Sequence, residues 1–248
     1  MARDVTIKLA SPHVGQQNII DNLDRFNTIN CGRRFGKTTM LRRLTLGPIQ
    51  QKAPIGYFAP THKDFDEAWN KLITSYRPII TRTDKSIKKI MFSGGASINF
   101  FSMQDPFPGI GWKFKRILVD ECKKIKDFQH KWRESLRPTL IDFQGDAILA
   151  STPNGFGSDW YKMCKIDKKG WKNFTASSWD NPYLDREELA GMKQDYMPNY
   201  YSQEIMAMFV DLVGDMFFKL FSRDQHVYED IEINDDYPLM LSFDFNFN

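Results

Sequence analysis

The stretch Cys31 to Thr39, CGRRFGKTT, constrains this chain more than any other. It follows the segment 26–31, FNTINC, which reads as a strand entering the loop. It leads into 38–46, which reads as a helix closed by the stop signal Gly47-Pro48. A glycine turn between strand and helix gathers backbone N–H groups and the positive end of the helix dipole at one point, and that point attracts phosphate. The phosphate-loop pattern is Gly, four residues, then Gly-Lys-Ser/Thr. Gly36-Lys37-Thr38 supplies its end, Cys31 stands at the first-Gly position, and Gly32 supplies flexibility one place later. The expected ATP-binding set is therefore Cys31, Gly32, Arg33, Arg34, Phe35, Gly36, Lys37, Thr38 and Thr39. Lys37 can reach the β- and γ-phosphates, and the Thr38 hydroxyl can ligate Mg²⁺.

A second motif, ILVDE at 117–121, ends an apolar strand in two carboxylates. Beside the loop, Asp120 would hold Mg²⁺ through water, and Glu121 would orient and deprotonate an attacking water. The roughly 80 residues between the motifs leave room for two intervening strands, which suits a RecA-like sheet. Ser151-Thr152-Pro153 follows the next strand. It reads either as a hydroxyl pair near the γ-phosphate or as a turn cap. Gln16, in PHVGQQ at 12–17, offers an amide that matches an adenine edge, and the same segment is equally a polar helix start.

Short apolar runs alternate with helical spacing as far as residue 178: a strand at 55–59, a helix at 64–76, a hairpin at 87–101, a strand at 116–119, a helix at 127–140 and a strand at 147–151. That alternation predicts a mainly parallel sheet flanked by helices, a RecA/ASCE-type P-loop NTPase core, over 1–178. Helical spacing at 185–195 and 200–209 predicts a small C-terminal helical lid with its linker over 179–235. The chain then stops in SFDFNFN, in mid-strand, as a piece of a longer protein would.

Hydrophobic residues make up 42% and aromatics 14%, so a sizeable core can be buried. The net charge of +3 is too near neutral to point to nucleic acid by itself. Two basic clusters, 113–137 and 162–172, are interleaved with Trp112, Phe114, Trp132, Trp160 and Trp171. They suit either a tracked phosphate backbone or, for most of these residues, a solvated surface over core aromatics. Three cysteines without metal spacing, no secretion signal and no apolar run long enough to span a bilayer predict a soluble cytoplasmic protein.

PHVGQQ, CGRRFGKTT, ILVDEC, STPNG and the segment from Asn181-Pro182 to SQEIMAMF occur in an order that resembles the ATPase half of the large terminase subunit of tailed bacteriophages. The basic pair Arg33-Arg34 inside the loop is the most specific part of that resemblance. The resemblance implies an ATPase that uses ATP and Mg²⁺ to drive double-stranded DNA into a procapsid. It implies the portal protein and small terminase subunit as partners, a homo-oligomeric ring (a pentamer), and a place in the host cytoplasm with transient docking on the procapsid.

By the same resemblance, Arg33, Lys37 and Glu121 are catalytic, Thr38 and Asp120 hold Mg²⁺, Gln16 reads adenine, and Ser151, Thr152 and Pro153 couple hydrolysis to motion. Residues 236–248 would begin a nuclease domain whose metal-binding Asp is Asp244. Without the rest of that domain, no nuclease activity is expected of this chain. The family often carries an arginine about ten residues before the Asp of the second motif, and Ile110 stands there. A helicase or repair ATPase on the same core, or a DNA-binding scaffold with a relic loop, are the competing readings.

Overall fold

A computed structural model describes residues 6–210, all within one compact unit. In chain order the elements are α1 (Val14–Asp21), β1 (Phe26–Cys31), α2 (Lys37–Leu44), α3 (Leu46–Gln50), β2 (Pro54–Ala59), α4 (His62–Tyr76), β3 (Ile80–Asp84), β4 (Lys89–Phe92) and β5 (Ser97–Ser102). After them come β6 (Arg116–Val119), α5 (Phe128–Lys131), β7 (Asp146–Ser151), α6 (Asp159–Cys164), β8 (Trp171–Ala176), α7 (Arg186–Asp195) and α8 (Pro198–Glu204).

The strands form one eight-stranded sheet in the order β3-β4-β5-β2-β6-β7-β1-β8. Strands β5, β2, β6, β7, β1 and β8 pair in parallel, and the β3-β4-β5 edge is antiparallel. This is the mainly parallel, helix-flanked core that the alternating pattern predicts. Four strands lie in sequence between the glycine loop and β6, two more than the spacing argument allowed for; β2 and the β4-β5 hairpin are the expected strand and hairpin, and the unread one is β3, whose ITRTD has too little apolar alternation to stand out. The polar edge strand β8 has the same cause.

Alternation within the buried strands divides the core in two. Ile55, Tyr57 and Ala59 of β2 join Ile29, Leu118 and Ile148 beneath α2 and α4. Phe58, from the same strand, joins Ile117, Val119, Ala147 and Leu149 under Trp132, Leu136 and Trp160. Polar residues inside fully buried β1 find partners across the fold: Asn30 accepts from Trp160 Nε1 at 3.2 Å and donates to Ala207 O at 3.0 Å.

Two helical expectations change. Gly47-Pro48 does not stop the helix after the loop. Thr45 keeps a right-handed helical backbone, and both residues lie in the first turn of α3, where Pro48 has no helical bond to lose. The run 127–140 is helical but not one α-helix: α5 passes into a π turn at Trp132–Leu136 and a 3₁₀ turn at Arg137–Leu140, with Pro138 unable to donate. In the segment expected as a lid, Asp185 caps α7 by accepting from Glu187 N and Glu188 N, and α8 ends at Glu204, before Ala207 enters the left-handed region. The nuclease expectation at 236–248, with Asp244, lies outside the described residues, as does the lid beyond 210.

Candidate nucleotide site

Strands β6, β7 and β1 are neighbours, so their C-terminal ends converge. Asp120 follows the first, Thr152 the second and Gly32 the third. Ligands in open parallel sheets gather beyond these ends. A pocket of about 770 Å³ opens there, with Arg33, Arg34, Gly36, Lys37, Thr38, Thr39, Glu121 and Thr152 on its walls.

The loop takes its shape from a few contacts. Gly36 has φ +96°, a conformation that favours glycine. At Gly32 the requirement is space: a Cβ would lie 2.5 Å from Ile205 O and 2.6 Å from Ser178 Oγ. Cys31 needs neither condition, so its place at the first-Gly position costs nothing. Its thiol is fully buried and pushed up to about 12 by that burial, leaving only its carbonyl for the site. Arg34 adopts φ 61°. Met40 N is the amide that closes onto Gly36 O, at 3.0 Å, so the amides of Lys37, Thr38 and Thr39 precede the helix's own ladder.

Lys37 Nζ donates to Cys31 O at 2.8 Å and Gly32 O at 2.9 Å. Burial draws its pKa below the ordinary lysine value, against the pull of Glu121 and Asp120. Thr38 Oγ1 donates to Asp120 Oδ2 at 2.8 Å. Burial pushes the Asp120 carboxyl up and the Glu121 charge adds to this, while the Thr38 and Tyr57 hydroxyls and the Lys37 charge oppose it. Glu121, φ 54°, turns in the left-handed region, a strain that persists only where surrounding structure holds it. Its carboxylate lies 3.7 Å from Lys124 Nζ, which also donates to Asp64 at 3.0 Å.

The donor set fits a Mg²⁺–triphosphate: a hydroxyl and a buried carboxylate 2.8 Å apart, a buried ammonium and free helix amides at one strand edge. Among the described residues no cluster of three His, Cys, Asp or Glu side chains could hold a metal by itself.

Other expected residues stand behind the wall. Phe35 is fully buried, its ring 4.9 Å from that of His13. Gln16 donates from Nε2 to Gly36 O at 3.0 Å and accepts at Oε1 from His13 N at 3.1 Å, so both ends of its amide already serve the protein. Ser151, also buried, accepts from Lys123 N at 3.0 Å.

Sequence reasoning missed several participants. His13 caps α1 in a reciprocal box with Gln16 and bonds Phe35 O at 2.9 Å; Gln three residues on was the only readable half of that signal, since His is not a usual N-cap. Tyr57, fully buried, donates to Asp120 Oδ2 at 3.1 Å, and nothing in a strand sequence marks such a tyrosine. Ser178 donates to Arg33 O at 2.6 Å and Asn181 to Arg34 O at 2.7 Å. Glu204 bonds Arg33 Nε at 2.6 Å and Lys123 Nζ at 2.7 Å.

The basic clusters are largely committed internally. Lys113 pairs with Asp142, Arg116 with Asp146, Lys123 with Glu204, and buried Lys131 bonds Met103 O. Phe114, Trp132 and Trp160 are core, whereas Lys168 and Lys169 are exposed beside β8. No described helix is long and apolar enough to cross a membrane.

Comparison with known proteins follows the same lines. A family model described as the N-terminal region of the T4-like-virus type of terminase large subunit matches residues 28–225. A large terminase subunit of Escherichia phage T5 is 26% identical over 232 residues, covering 88% of this chain and 52% of that protein. The chain thus spans about half the length of this curated relative. The large terminase ATPase domain of Thermus phage P74-26 superposes with a TM-score of 0.68 at 19% identity, over 81% of this chain and 94% of that one. A large terminase of a thermophilic bacteriophage, in complex with ATP-gamma-S, gives 0.67 at 15% identity, over 86% and 56%. At such identities the structural likeness speaks for the fold.

Proposed function

The chain belongs to the T4-like-virus family of large terminase subunits, matching its N-terminal region, and from that premise we propose that it is the ATP-hydrolysing motor domain that drives double-stranded DNA into a procapsid. The observation that carries the catalytic half is the Thr38–Asp120 hydrogen bond at 2.8 Å, in a pocket that also presents Lys37 and Glu121.

In this reading the loop amides and Lys37 hold the β- and γ-phosphates, and Thr38 and Asp120 would hold Mg²⁺. Bound Mg²⁺ supplies charge neutralisation at those phosphates. Glu121 orients the attacking water and accepts its proton, and Arg33 offsets the charge that develops at the γ-phosphate. Ser151, Thr152 and Pro153 link the strand end below the pocket to the segment after Glu121, a route for coupling. Adenine reading by Gln16 requires its amide to exchange the Gly36 carbonyl for the base edge.

Family membership supports the portal protein, the small terminase subunit and a ring of copies as partners in the host cytoplasm. It also supports a nuclease in the longer protein, with Asp244 among its ligands. Ile110, 56% exposed, puts no guanidinium at the family's usual partner-facing position; if an arginine supplied by a neighbouring copy is essential, the isolated chain should be a weak ATPase.

The test is Glu121→Gln. Phosphate release should fall on the order of 10³-fold while a fluorescent nucleotide still binds. If the wild-type chain, given DNA, Mg²⁺ and ATP, turns over no faster than this variant, the enzymatic reading fails.

A further inference from the structure

We propose that Glu204 is a positioning residue for chemistry at the γ-phosphate: from the end of α8, its one carboxylate fixes the Arg33 guanidinium and the Lys123 ammonium side by side on the pocket wall. The inference rests on the reading of Arg33 as the group that offsets developing charge.

Glu204 is almost fully buried, its side chain 2% exposed, and each oxygen is claimed. Oε2 accepts from Arg33 Nε at 2.6 Å. Oε1 accepts from Lys123 Nζ at 2.7 Å and from Gln203 Nε2 at 3.1 Å. A carboxylate out of water is tolerated only when it is paired and hydrogen-bonded in this way. Both cations line the nucleotide pocket: Arg33 comes from the glycine loop, and Lys123 lies two residues beyond Glu121. Two like charges brought this close repel, and a shared counter-charge between them removes that penalty.

Arg33 gains most from the arrangement. Its side chain is 53% exposed and would otherwise sample many rotamers. The bond to Glu204 uses Nε, and no described residue accepts a hydrogen bond from its terminal nitrogens. The guanidinium is therefore held by its stem side, with its fork left for a phosphate. The backbone repeats the anchor: Arg33 N donates to Glu204 O at 2.6 Å. The close approach of Ile205 O that excludes a side chain at Gly32 seats the end of α8 against the loop. Preorganised charge of this kind lowers a barrier because it is not rearranged as the reaction proceeds.

The experiment is a pair of double-mutant cycles on the full chain, reading kcat and KM for ATP hydrolysis with DNA and Mg²⁺. Glu204→Gln should lower kcat by about tenfold to a hundredfold and move KM by less than about threefold, the signature of an interaction made mainly in the transition state. Combined with Arg33→Ala, it should cost no more than about twofold beyond Arg33→Ala alone, because the carboxylate acts through that side chain.

Multiplying losses, an unchanged kcat, or a kcat that rises would each overturn the inference; a rise would mean that Glu204 withholds the cations. If Arg33→Ala leaves kcat intact, it is the reading of Arg33 that fails, and the same cycle with Lys123→Ala decides the role of Glu204. Should Glu204→Gln melt below the assay temperature, Glu204→Asp serves the same cycles. It keeps the charge but withdraws it by one methylene, and the same lowering of kcat is expected.

Discussion

The nucleotide pocket has two walls of different construction. One is made of strand ends and the glycine loop. It stands on two large apolar clusters, one on each face of the sheet. The other is made of Leu184, Leu189, Met192 and Tyr196, and beneath it, among the described residues, Leu189, Tyr201 and Ile205 form a small buried cluster. What ties this second wall to the first is mostly polar: Ser178 to Arg33 O, Asn181 to Arg34 O, and Glu204 to Arg33 and Lys123. Extensive apolar burial opens only with global unfolding, whereas a segment with few buried contacts opens locally at smaller cost. Hydrogen bonds contribute little net stability because water or a ligand can replace them. The sheet wall is therefore suited to fixed chemistry, and the helical wall to closing and opening over it.

The largest effect should come from the sheet wall. Lys37→Ala removes the ammonium that bonds two loop carbonyls and that, in the proposed reading, holds the phosphates. Turnover should fall about 10²- to 10³-fold, the usual loss when one preorganised charge donor goes. Nucleotide affinity should fall with it, unlike in Glu121→Gln. A Lys37→Ala chain that keeps nucleotide affinity would detach the ammonium from phosphate binding.

A matched pair of truncations breaks the comparison directly. Leu72 of α4 is fully buried in the larger cluster, and Leu189 of α7 is 4% exposed in the small one. Leu72→Ala should cost about 2–5 kcal/mol of global stability in a denaturant titration. Leu189→Ala should cost at or below the low end of that range, because its surroundings can collapse, and hydrogen exchange should quicken in α7 and α8 alone. Equal losses, with exchange rising across the sheet, would show that the two walls unfold as one.

The same contrast explains what could be read from the sequence. Strand β6, the loop and the hairpin at β4 and β5 were legible because apolar runs and glycine turns are local signals, and β1, whose FNTINC is half polar, was legible as the strand that must enter the glycine loop. The Thr38–Asp120 meeting followed from two motifs whose chemistry demands it. Strands β3 and β8 were not legible, because an edge strand needs apolar residues on at most one face. The sequence marks Gly32 as a flexible residue, but its reason is Ile205 O, brought up by a segment more than 170 residues later. Glu204, Tyr57 and Ser178 had no local signal, since each acts across the fold on a partner that only the tertiary structure supplies.

Acid should affect the helical wall in a characteristic way. Burial by itself would raise the Glu204 pKa, but the bonds from Lys123, Arg33 and Gln203 outweigh it and hold the carboxyl below its ordinary 4.5. A carboxyl depressed on folding contributes stability that is present above its unfolded pKa and lost as pH falls through the folded one. The stability difference between wild type and Glu204→Gln should therefore be constant near neutrality and narrow only below about pH 4.5, in urea titrations at several pH values. A gap that persists unchanged at the acid end would mean that the ion pairs contribute nothing through charge.

The smallest effect tests how redundant the sheet wall is. Tyr57 donates to the Asp120 oxygen that also accepts from Thr38, while the other oxygen accepts from Glu121 N at 3.0 Å. Three donors thus orient one carboxylate before any cation arrives. Tyr57→Phe removes one of them and keeps the ring packed 5.2 Å from that of Phe100, so stability should change by only about 1 kcal/mol. With Thr38 and the Glu121 amide still in place, the carboxylate keeps its aim. The Mg²⁺ concentration giving half-maximal ATPase should rise by less than about tenfold, in keeping with one neutral hydrogen bond, and kcat should stay within about twofold. A shift of a hundredfold would make the tyrosine an indispensable part of the cation site, and the wall less redundant than its three donors imply.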